Sequence, residues 1–185
     1  MVDRLVEFAA TAQLLDGRLI SLRRLNADDT TAALALHQHL SDFDRYFRFF
    51  TLNQIDLDKL VGKMTEPAPG QYALGAFDGE RLLGVAHYKV VGNDPKVAEI
   101  AVVVAHEDHS VGVGTALLKR LAQIARPHGI CRFVADVLGE NHLMLKVLFD
   151  LGYPCEPIGY GSVRHVEIEL PDFVAEMPTA AKSVP

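Results

Sequence analysis

Residues 97–104 read VAEIAVVV, an almost continuously apolar run with several β-branched side chains. A run of this kind predicts a β-strand that other parts of the chain cover on both faces. Two glycines, Gly112 and Gly114, follow it, and a helical apolar pattern then extends over 112–126 before Pro127 ends it. A buried strand that turns through glycines into an amphipathic helix requires a sheet with helices packed against it.

The other segments supply strands and helices in an order that fits this architecture. The predicted elements are a hairpin of 10–15 and 18–25, helices beginning at Asn26, Ser41 and Asp56, strands at 71–77, 82–91 and 97–104, a helix at 112–126, a strand at 130–138, a helix at 141–151 and a strand at 163–170. This order predicts an α+β (mixed α/β) fold with a central mixed sheet flanked by helices. One domain is expected over residues 1–170, and segment 171–185 is expected to be a loosely attached tail.

The composition excludes several classes of protein. Acidic residues outnumber lysine and arginine by 24 to 18, and the net charge of −6 argues against bulk binding to nucleic acid or to an anionic membrane. Cys131, expected to be a core thiol, and Cys155 are too few for a disulfide framework or a cysteine-built zinc site. No apolar run approaches the length of a membrane span, and the N-terminus lacks the basic start of a signal peptide. We therefore expect a soluble, cytoplasmic protein without nucleic-acid or membrane partners.

The segment His109-Ser110-Val111-Gly112-Val113-Gly114-Thr115 joins the buried strand to the helix. Glycines let the backbone approach a ligand, and unpaired amides at a helix N-terminus favour a negative charge, so the segment is a candidate pyrophosphate site. Other phosphate motifs are excluded, because a dinucleotide fingerprint needs glycine where Leu117 stands and the chain has no Gly-Lys-Ser/Thr of a P-loop. The alternative is that the two glycines only shape a tight turn.

No metal site is expected from the histidines. The residues at 106–109 read HEDH, and they do not form a metalloprotease HExxH motif because the second histidine would have to stand at Ser110. His37 and His39 point about 200° apart on a helix, so they are expected to be solvated residues that do not share a metal. The aromatic residues of segment 43–50 are expected to pack in the core.

With its neighbours, the glycine segment resembles a known family. The stretch from Ala98 to Tyr153 resembles the GNAT superfamily of N-acetyltransferases, whose signature is Gln/Arg-x-x-Gly-x-Gly/Ala at the start of the helix after the family's fourth strand. Here His109 stands in place of Gln or Arg, and Val111 stands where an arginine is frequent. The segments LLDGRLISLRRLNADD and SDFDRYFRFF look like the entry segments of bacterial protein-lysine acetyltransferases, so the resemblance covers about residues 12–170.

The resemblance implies a GNAT fold, with a mostly antiparallel sheet and acetyl-CoA in a V-shaped opening between the family's fourth and fifth strands. The pantetheine arm would pair with the backbone of Val102, Val103 and Val104. The pyrophosphate would receive amides from His109 to Thr115. Asn141 matches the asparagine with which the family contacts its cofactor, although its position fits a helix N-cap equally well.

Glu99 is the candidate general base. It is the only charge inside the apolar strand, where a lone carboxylate is costly unless it is exposed, paired or functional. A lysine amine must lose a proton before it attacks a thioester, and in lysine-acetylating relatives a glutamate in this context takes that proton, directly or through water. Burial would strengthen Glu99 as a base, and the alternative is a solvated carboxylate or one paired with an arginine such as Arg45. A backbone N–H near Val102 is the expected oxyanion donor, and Leu148 stands where many relatives have a general-acid tyrosine.

The resulting hypothesis is an acetyl-CoA-dependent N-acetyltransferase that modifies lysine side chains of proteins, with acyl-CoA synthetases as acceptors implied by the family. One alternative is an enzyme that acetylates a small amine, such as a polyamine, an amino acid or an antibiotic. The other is a non-catalytic, CoA-binding regulatory module. The altered glycine segment and the missing tyrosine favour the module, whereas Glu99 opposes it.

Overall fold

The computed structural model describes residues 9–49, 55–158 and 161–172. Within these ranges the strands are β1 (Ala10–Gln13), β2 (Leu19–Arg24), β3 (Gln71–Asp78), β4 (Arg81–Val90), β5 (Val97–Val104), β6 (Arg132–Leu138), β7 (Cys155–Ile158) and β8 (Val163–Glu169). The α-helices are α1 (Thr30–Gln38), α2 (Asp42–Phe49), α3 (Leu57–Thr65), α4 (Val113–Ala125) and α5 (His142–Asp150). Short 3-10 turns at Ala27–Asp29 and His106–Asp108 precede α1 and α4.

The described strands form one eight-stranded sheet in the order β1-β2-β3-β4-β5-β6-β8-β7. Every neighbouring pair is antiparallel except β5 and β6, which run parallel. The parallel pair is short, because it extends only from Val97–Arg132 to Glu99–Val134 and the two strands then separate. The predicted α+β fold with a mixed, mostly antiparallel sheet is confirmed.

Helices cover both faces of the sheet around β4 and β5. On one face, α4 buries Leu117, Leu118 and Leu121 in a core that continues into β5 through Ile100. On the other face, a second core formed with α1 and α3 includes Val103. Because side chains alternate along a strand, Ile100 and Val103 face opposite cores, and β5 is covered on both sides as its sequence predicts.

The predicted elements agree with the observed bounds to within a few residues, and one strand was missed. Strand β7 has only four residues, Cys155–Ile158, and contains Pro157, which lacks the N–H that a central strand needs. A proline is compatible with this position because β7 is the edge of the sheet and pairs only with β8. The predicted tail at 171–185 falls almost entirely outside the described residues.

Three side-chain expectations are wrong. His37 is buried rather than solvated, because α1 turns it toward the sheet, where its ring nitrogen Nδ1 lies 2.8 Å from the carbonyl oxygen of Ala33. Phe43 is 75% exposed and Tyr46 is 39% exposed, since α2 buries only part of its aromatic surface. Cys131 precedes β6 and is half-buried, with its Sγ 2.9 Å from a guanidinium nitrogen of Arg126.

Phe50 lies outside the described residues, so its expected packing is not tested. His39 is exposed, as predicted.

No helix in the described ranges combines the length and the apolar composition needed to cross a bilayer.

Candidate active site

The divergence of β5 and β6 opens a cavity of about 850 Å³ that strands, helices and the glycine segment line together. This volume lies in the range of about 300–1,000 Å³ that is typical of small-molecule and cofactor sites. The structure brings all the sequence-predicted site residues to its wall: Glu99, Val102, Val103, Val104, His109, Ser110, Val111, Gly112, Val113, Gly114, Thr115 and Asn141. The roles assigned to them from the resemblance stay predictions.

One edge of β5 is available to an extended ligand. The backbone amide of Ala105 donates to the carbonyl oxygen of Leu83 on β4, at 2.8 Å. Because backbone groups alternate along a strand, those of Val103 also face β4, whereas those of Val102 and Val104 face the opening. The carbonyl oxygen of Val104 already lies 3.0 Å from Nε2 of His109, so Val102 is the more open position. The expectation that Val103 offers its backbone to the ligand is therefore wrong, although Val103 still contributes to the cavity wall.

The segment before α4 presents a row of backbone donors. Ser110 and Gly112 both have positive φ angles, 65° and 99°, which curl the chain at the N-terminus of the helix. Among the described residues, no protein acceptor pairs with the backbone amides of residues 110–115, and Gly112 caps α4 without a side-chain bond. The segment is fixed from outside by the amide of Leu15, which donates to the carbonyl oxygen of Val111 at 3.0 Å. Free amides at the positive end of a helix can hold a pyrophosphate.

Packing also explains the second glycine of the segment. A Cβ atom added to Gly114 would lie 3.4 Å from a methyl group of Val147 on α5. That separation is at the limit of an ordinary contact, so glycine allows α4 and α5 to pack closely beside the opening. The glycines therefore shape the turn and leave its amides free, and the two interpretations of the sequence are compatible.

Glu99 lies where β5 and β6 part, and its side chain is exposed. The burial that would have strengthened it as a base is not found, because α2 covers only part of this face of the sheet, and the exposed carboxylate considered as an alternative is observed. Within the described ranges, Glu99 makes no hydrogen bond or ion pair, and the pairing with Arg45 considered as an alternative is not found. The carboxylate is therefore free to meet a substrate.

Arg48 on α2 is close enough to Glu99 to be affected by its negative charge. Burial lowers the pKa of Arg48 to about 10, and the attraction of Glu99 opposes that shift. Arg48 thus remains charged at neutral pH. Its Nε atom is buried without a hydrogen-bond partner among the described residues, and the side chain lines the cavity.

Two neutral histidines accompany Arg48. Burial, with smaller contributions from Arg48 and His37, lowers the pKa of His87 on β4 to about 3. Burial also lowers the pKa of His37, although its contact with the Ala33 carbonyl oxygen opposes the shift. At neutral pH, Arg48 is the charged member of this group of three.

Asn141 begins α5 and closes another part of the wall. Its Oδ1 accepts a hydrogen bond from the backbone amide of Met144 at 3.0 Å, which is the N-cap role.

Leu148, at the position of the family's tyrosine, is buried in the core and has no proton to give. Tyr153 is half-buried outside the cavity wall, and burial raises the pKa of its hydroxyl. Tyr160 lies outside the described residues.

Sequence reasoning missed several residues of the wall. Phe47 and Arg48 reach it from α2, and Lys119 and Arg120 reach it from α4. Asp136 on β6 also lines it, and Asp136 could have been found, because it is the one acidic residue in the apolar strand 130–138, as Glu99 is in β5.

The sequence that forms this site matches a known protein family. The sequence profile of the acetyltransferase (GNAT) family matches residues 33–153, which include α2, the cavity wall from β5 to α5, and Glu99. The chain belongs to the GNAT family of acetyltransferases. GNAT enzymes use acetyl-CoA as the acetyl donor, and the free amides at residues 110–115 and the open edge at Val102 fit the phosphate and amide groups of that molecule.

Individual relatives agree with this assignment. Acetyltransferase PA5475 of Pseudomonas aeruginosa is 27% identical over 145 residues, which are 75% of this chain and 76% of that protein. The crystal structure of the GNAT domain of S. lividans PAT matches with a TM-score of 0.78 and 29% identity, covering 88% of this GNAT chain and 97% of that one. The structure of yncA, a putative acetyltransferase from Salmonella typhimurium with its cofactor acetyl-CoA, has the same fold, with a TM-score of 0.66, 18% identity, and coverage of 86% and 98%.

Proposed function

We propose that this GNAT acetyltransferase transfers the acetyl group of acetyl-CoA to the side-chain amine of a lysine in a protein. The observation that carries the proposal is the position of Glu99, a free carboxylate at the junction of the cofactor cavity and an open sheet face. The match to the GNAT domain of S. lividans PAT, a protein acetyltransferase, supports the acceptor class.

The open face extends from Glu99 across β6 and β8. Asp136 lies on the same face of the sheet as Glu99, and its carboxylate contacts His165 of β8 at 2.8 Å. Glu167 follows on β8, but Arg132 of β6 pairs with its carboxylate at 3.1 Å. The acidic charge of this face therefore comes mainly from the exposed Glu99 and Asp136. An acidic surface that is not enclosed suits a lysine ammonium group presented by a larger molecule.

In the proposed reaction, Glu99 removes a proton from the lysine ammonium, directly or through a water molecule. The neutral amine then attacks the thioester carbonyl, and the N–H of Val102, which faces the opening, donates to the carbonyl oxygen as charge develops there. A thiol has a pKa near 8.5, so the thiolate of CoA leaves with little need of an acid, which is consistent with Leu148 at the usual tyrosine position.

The experiment that tests this proposal is a comparison of acceptors. The full chain and acetyl-CoA are incubated with a protein extract and, separately, with a library of polyamines, amino acids and amine antibiotics, and products are identified by mass spectrometry. Acetyl-lysine on proteins, dependent on Glu99, is expected. Acetylation of small amines with proteins left unmodified would establish the small-molecule alternative, and acetyl-CoA binding without any transfer would establish the regulatory module.

Acyl-CoA synthetases and a cytoplasmic location remain predictions from the sequence. The first is tested by including a purified acyl-CoA synthetase among the acceptors. The second is tested by fractionating cells and locating the chain with an antibody.

A further inference from the structure

Three side chains with metal-binding atoms meet beside the glycine segment. Asp44 comes from α2, and His106 and His109 come from the turn between β5 and α4. One nitrogen or oxygen atom from each of the three lies within 4.8 Å of the other two.

The spacing within this cluster suits a small dication. The Nδ1 atom of His106 lies 3.4 Å from the Oδ2 atom of Asp44. Two ligands of a tetrahedral zinc ion, each about 2.0–2.1 Å from the metal, lie roughly 3.4 Å from one another. The rings of His106 and His109 have centroids 5.1 Å apart, so both imidazoles are beside the same space.

Hydrogen bonds orient two of the three side chains. The Nε2 atom of His109 lies 3.0 Å from the carbonyl oxygen of Val104, which leaves Nδ1 for a metal. The hydroxyl of Ser41 donates to Oδ2 of Asp44 at 2.7 Å. Metal-ligating histidines commonly donate their second N–H to a carbonyl, and ligating carboxylates are themselves hydrogen-bonded, so these contacts match the outer shell of a metal site.

The carboxylate of Asp44 is not neutralised by an arginine or a lysine within the described ranges. The neighbouring acids differ, because Asp108 contacts Arg18 and Arg81, at 2.9 and 2.6 Å, and Glu107 contacts Arg81 at 2.8 Å. The negative charge of the cluster is therefore available to a cation. His106 is largely exposed, so water can reach the site and complete the coordination.

We propose that Asp44, His106 and His109 bind a divalent transition-metal ion, with Zn²⁺ as the best match to two imidazoles and one carboxylate. The HExxH test of the sequence did not detect this site, because the two histidines lie on a turn and the third ligand comes from 62 positions earlier in the chain. A bound ion would join α2 to the segment that carries the free amides. The proposal does not depend on which acceptor the enzyme uses.

Calorimetric titration of the full chain with Zn²⁺ at pH 7.5, in a buffer that does not chelate, tests the site. The variants are Asp44→Asn, His106→Gln and His109→Gln, and His39→Gln is the matched control, an exposed histidine on α1. We expect one equivalent of Zn²⁺ bound by the wild type and by the control, and affinity reduced by about tenfold or more in each of the three variants. Thermal unfolding without metal verifies that each variant is folded.

A wild type that binds less than one equivalent, or a His106→Gln/His109→Gln double variant with wild-type affinity, would overturn the proposal and leave only an Asp–His hydrogen-bonded cluster. If the variants do not fold, Co²⁺ added to the wild type decides the question. Intense visible absorption of low-symmetry Co²⁺, removed by one equivalent of Zn²⁺, supports the site, and the unchanged spectrum of hydrated Co²⁺ overturns it.

Discussion

Glu99 and Asp136 are acidic residues in otherwise apolar strands, and both reach the same open face of the sheet. A carboxylate is costly to bury alone, so its presence in such a strand indicates either a gap in the covering layer or a function. Here a gap is present, because the part of the sheet beyond α2 is uncovered within the described ranges and borders the cavity, and the function of Glu99 is the proposal made above.

Replacement of Glu99 by glutamine tests its role as the base. Glu99→Gln keeps the shape of the side chain and removes its capacity to take a proton, so kcat is expected to fall by about 10²–10⁴-fold while acetyl-CoA affinity stays unchanged. Turnover is measured by CoA release with an identified acceptor, and affinity by calorimetry. Glu80→Gln, in the exposed turn between β3 and β4, is the matched control. Wild-type turnover in Glu99→Gln would exclude Glu99 as the base.

His87 makes the stability of the fold depend on pH. Its pKa is lowered by burial to about 3, so below about pH 6.5 the unfolded chain binds a proton that the folded chain does not. Stability is therefore retained above pH 6.5 and lost as pH falls toward 3. Between pH 7 and 5 this one group removes about 2 kcal/mol of unfolding free energy.

Urea unfolding of the wild type and of His87→Gln at pH 7, 6 and 5 measures this contribution. The variant is expected to show a shallower loss of stability across the range, since glutamine does not titrate. Parallel pH profiles for the two proteins would show that His87 has the same pKa in the folded and unfolded states and would contradict the shift. The pKa values of some carboxyl groups, Asp16 and Asp29 among them, are also lowered in the folded chain. These groups change the stability mainly at pH values below 5, outside the range of this experiment.

Residue patterns predict part of this site and miss another part. The lone charge in an apolar strand identifies Glu99, and the glycine spacing identifies residues 109–115. The exposure of Glu99 and the burial of His37 depend on which areas of the sheet α1 and α2 cover, and that is a property of tertiary packing. Arg48 was missed for the same reason, since its run of aromatic and charged residues does not show which side chain faces the cavity.

Among the elements, the turn into α4 supplies most of the backbone amides of the proposed cofactor site. Its shape depends on Gly112, whose φ of 99° lies in a region that L side chains rarely adopt. A Cβ at this position would meet only Leu15, at 3.7 Å, so the cost of a side chain comes from the backbone. The same holds at Gly129, where φ is 87° and no atom lies within 4 Å.

This pair of glycines provides a matched test of the amide site. Gly112→Ala and Gly129→Ala are each expected to lower stability by about 1–2 kcal/mol, which corresponds to a fall in Tm of about 2–8 °C. Only Gly112→Ala is expected to weaken acetyl-CoA binding, because only there does the change redirect the free amides. Calorimetric titration with acetyl-CoA measures the difference. Equal affinity for acetyl-CoA in the two variants would show that the turn before α4 does not bind this ligand.

The elements themselves are largely predictable because they are strongly periodic. Strand β5 and helix α4 have patterns long enough to fix their type, and their observed bounds follow the sequence closely. Strand β7 is too short for a pattern and forms only because β8 offers an edge. Side-chain periodicity also does not show that α2 leaves Phe43 in solvent, since that depends on how α2 meets β5.

For the whole molecule, the decisive feature is that β5 and β6 pair over three residue positions and then separate. Alternation of side chains does not encode where a backbone ladder ends, so the opening could be expected only from the family resemblance. The separation exposes the edge at Val102, and the glycine segment places its amides at the same opening. The proposed binding of acetyl-CoA therefore rests on backbone groups that the sheet leaves unpaired.

Thermal unfolding of the full chain with and without acetyl-CoA tests most directly that this opening is the donor site. A ligand at one hundred times its dissociation constant stabilises the folded state by about 2.7 kcal/mol, which corresponds to a rise in Tm of about 5–11 °C for a chain of this size. We expect a rise of that order, reduced in Gly112→Ala and retained in Gly129→Ala. An unchanged Tm at millimolar acetyl-CoA would contradict the assignment of the cavity between β5 and β6 as the acetyl-CoA site.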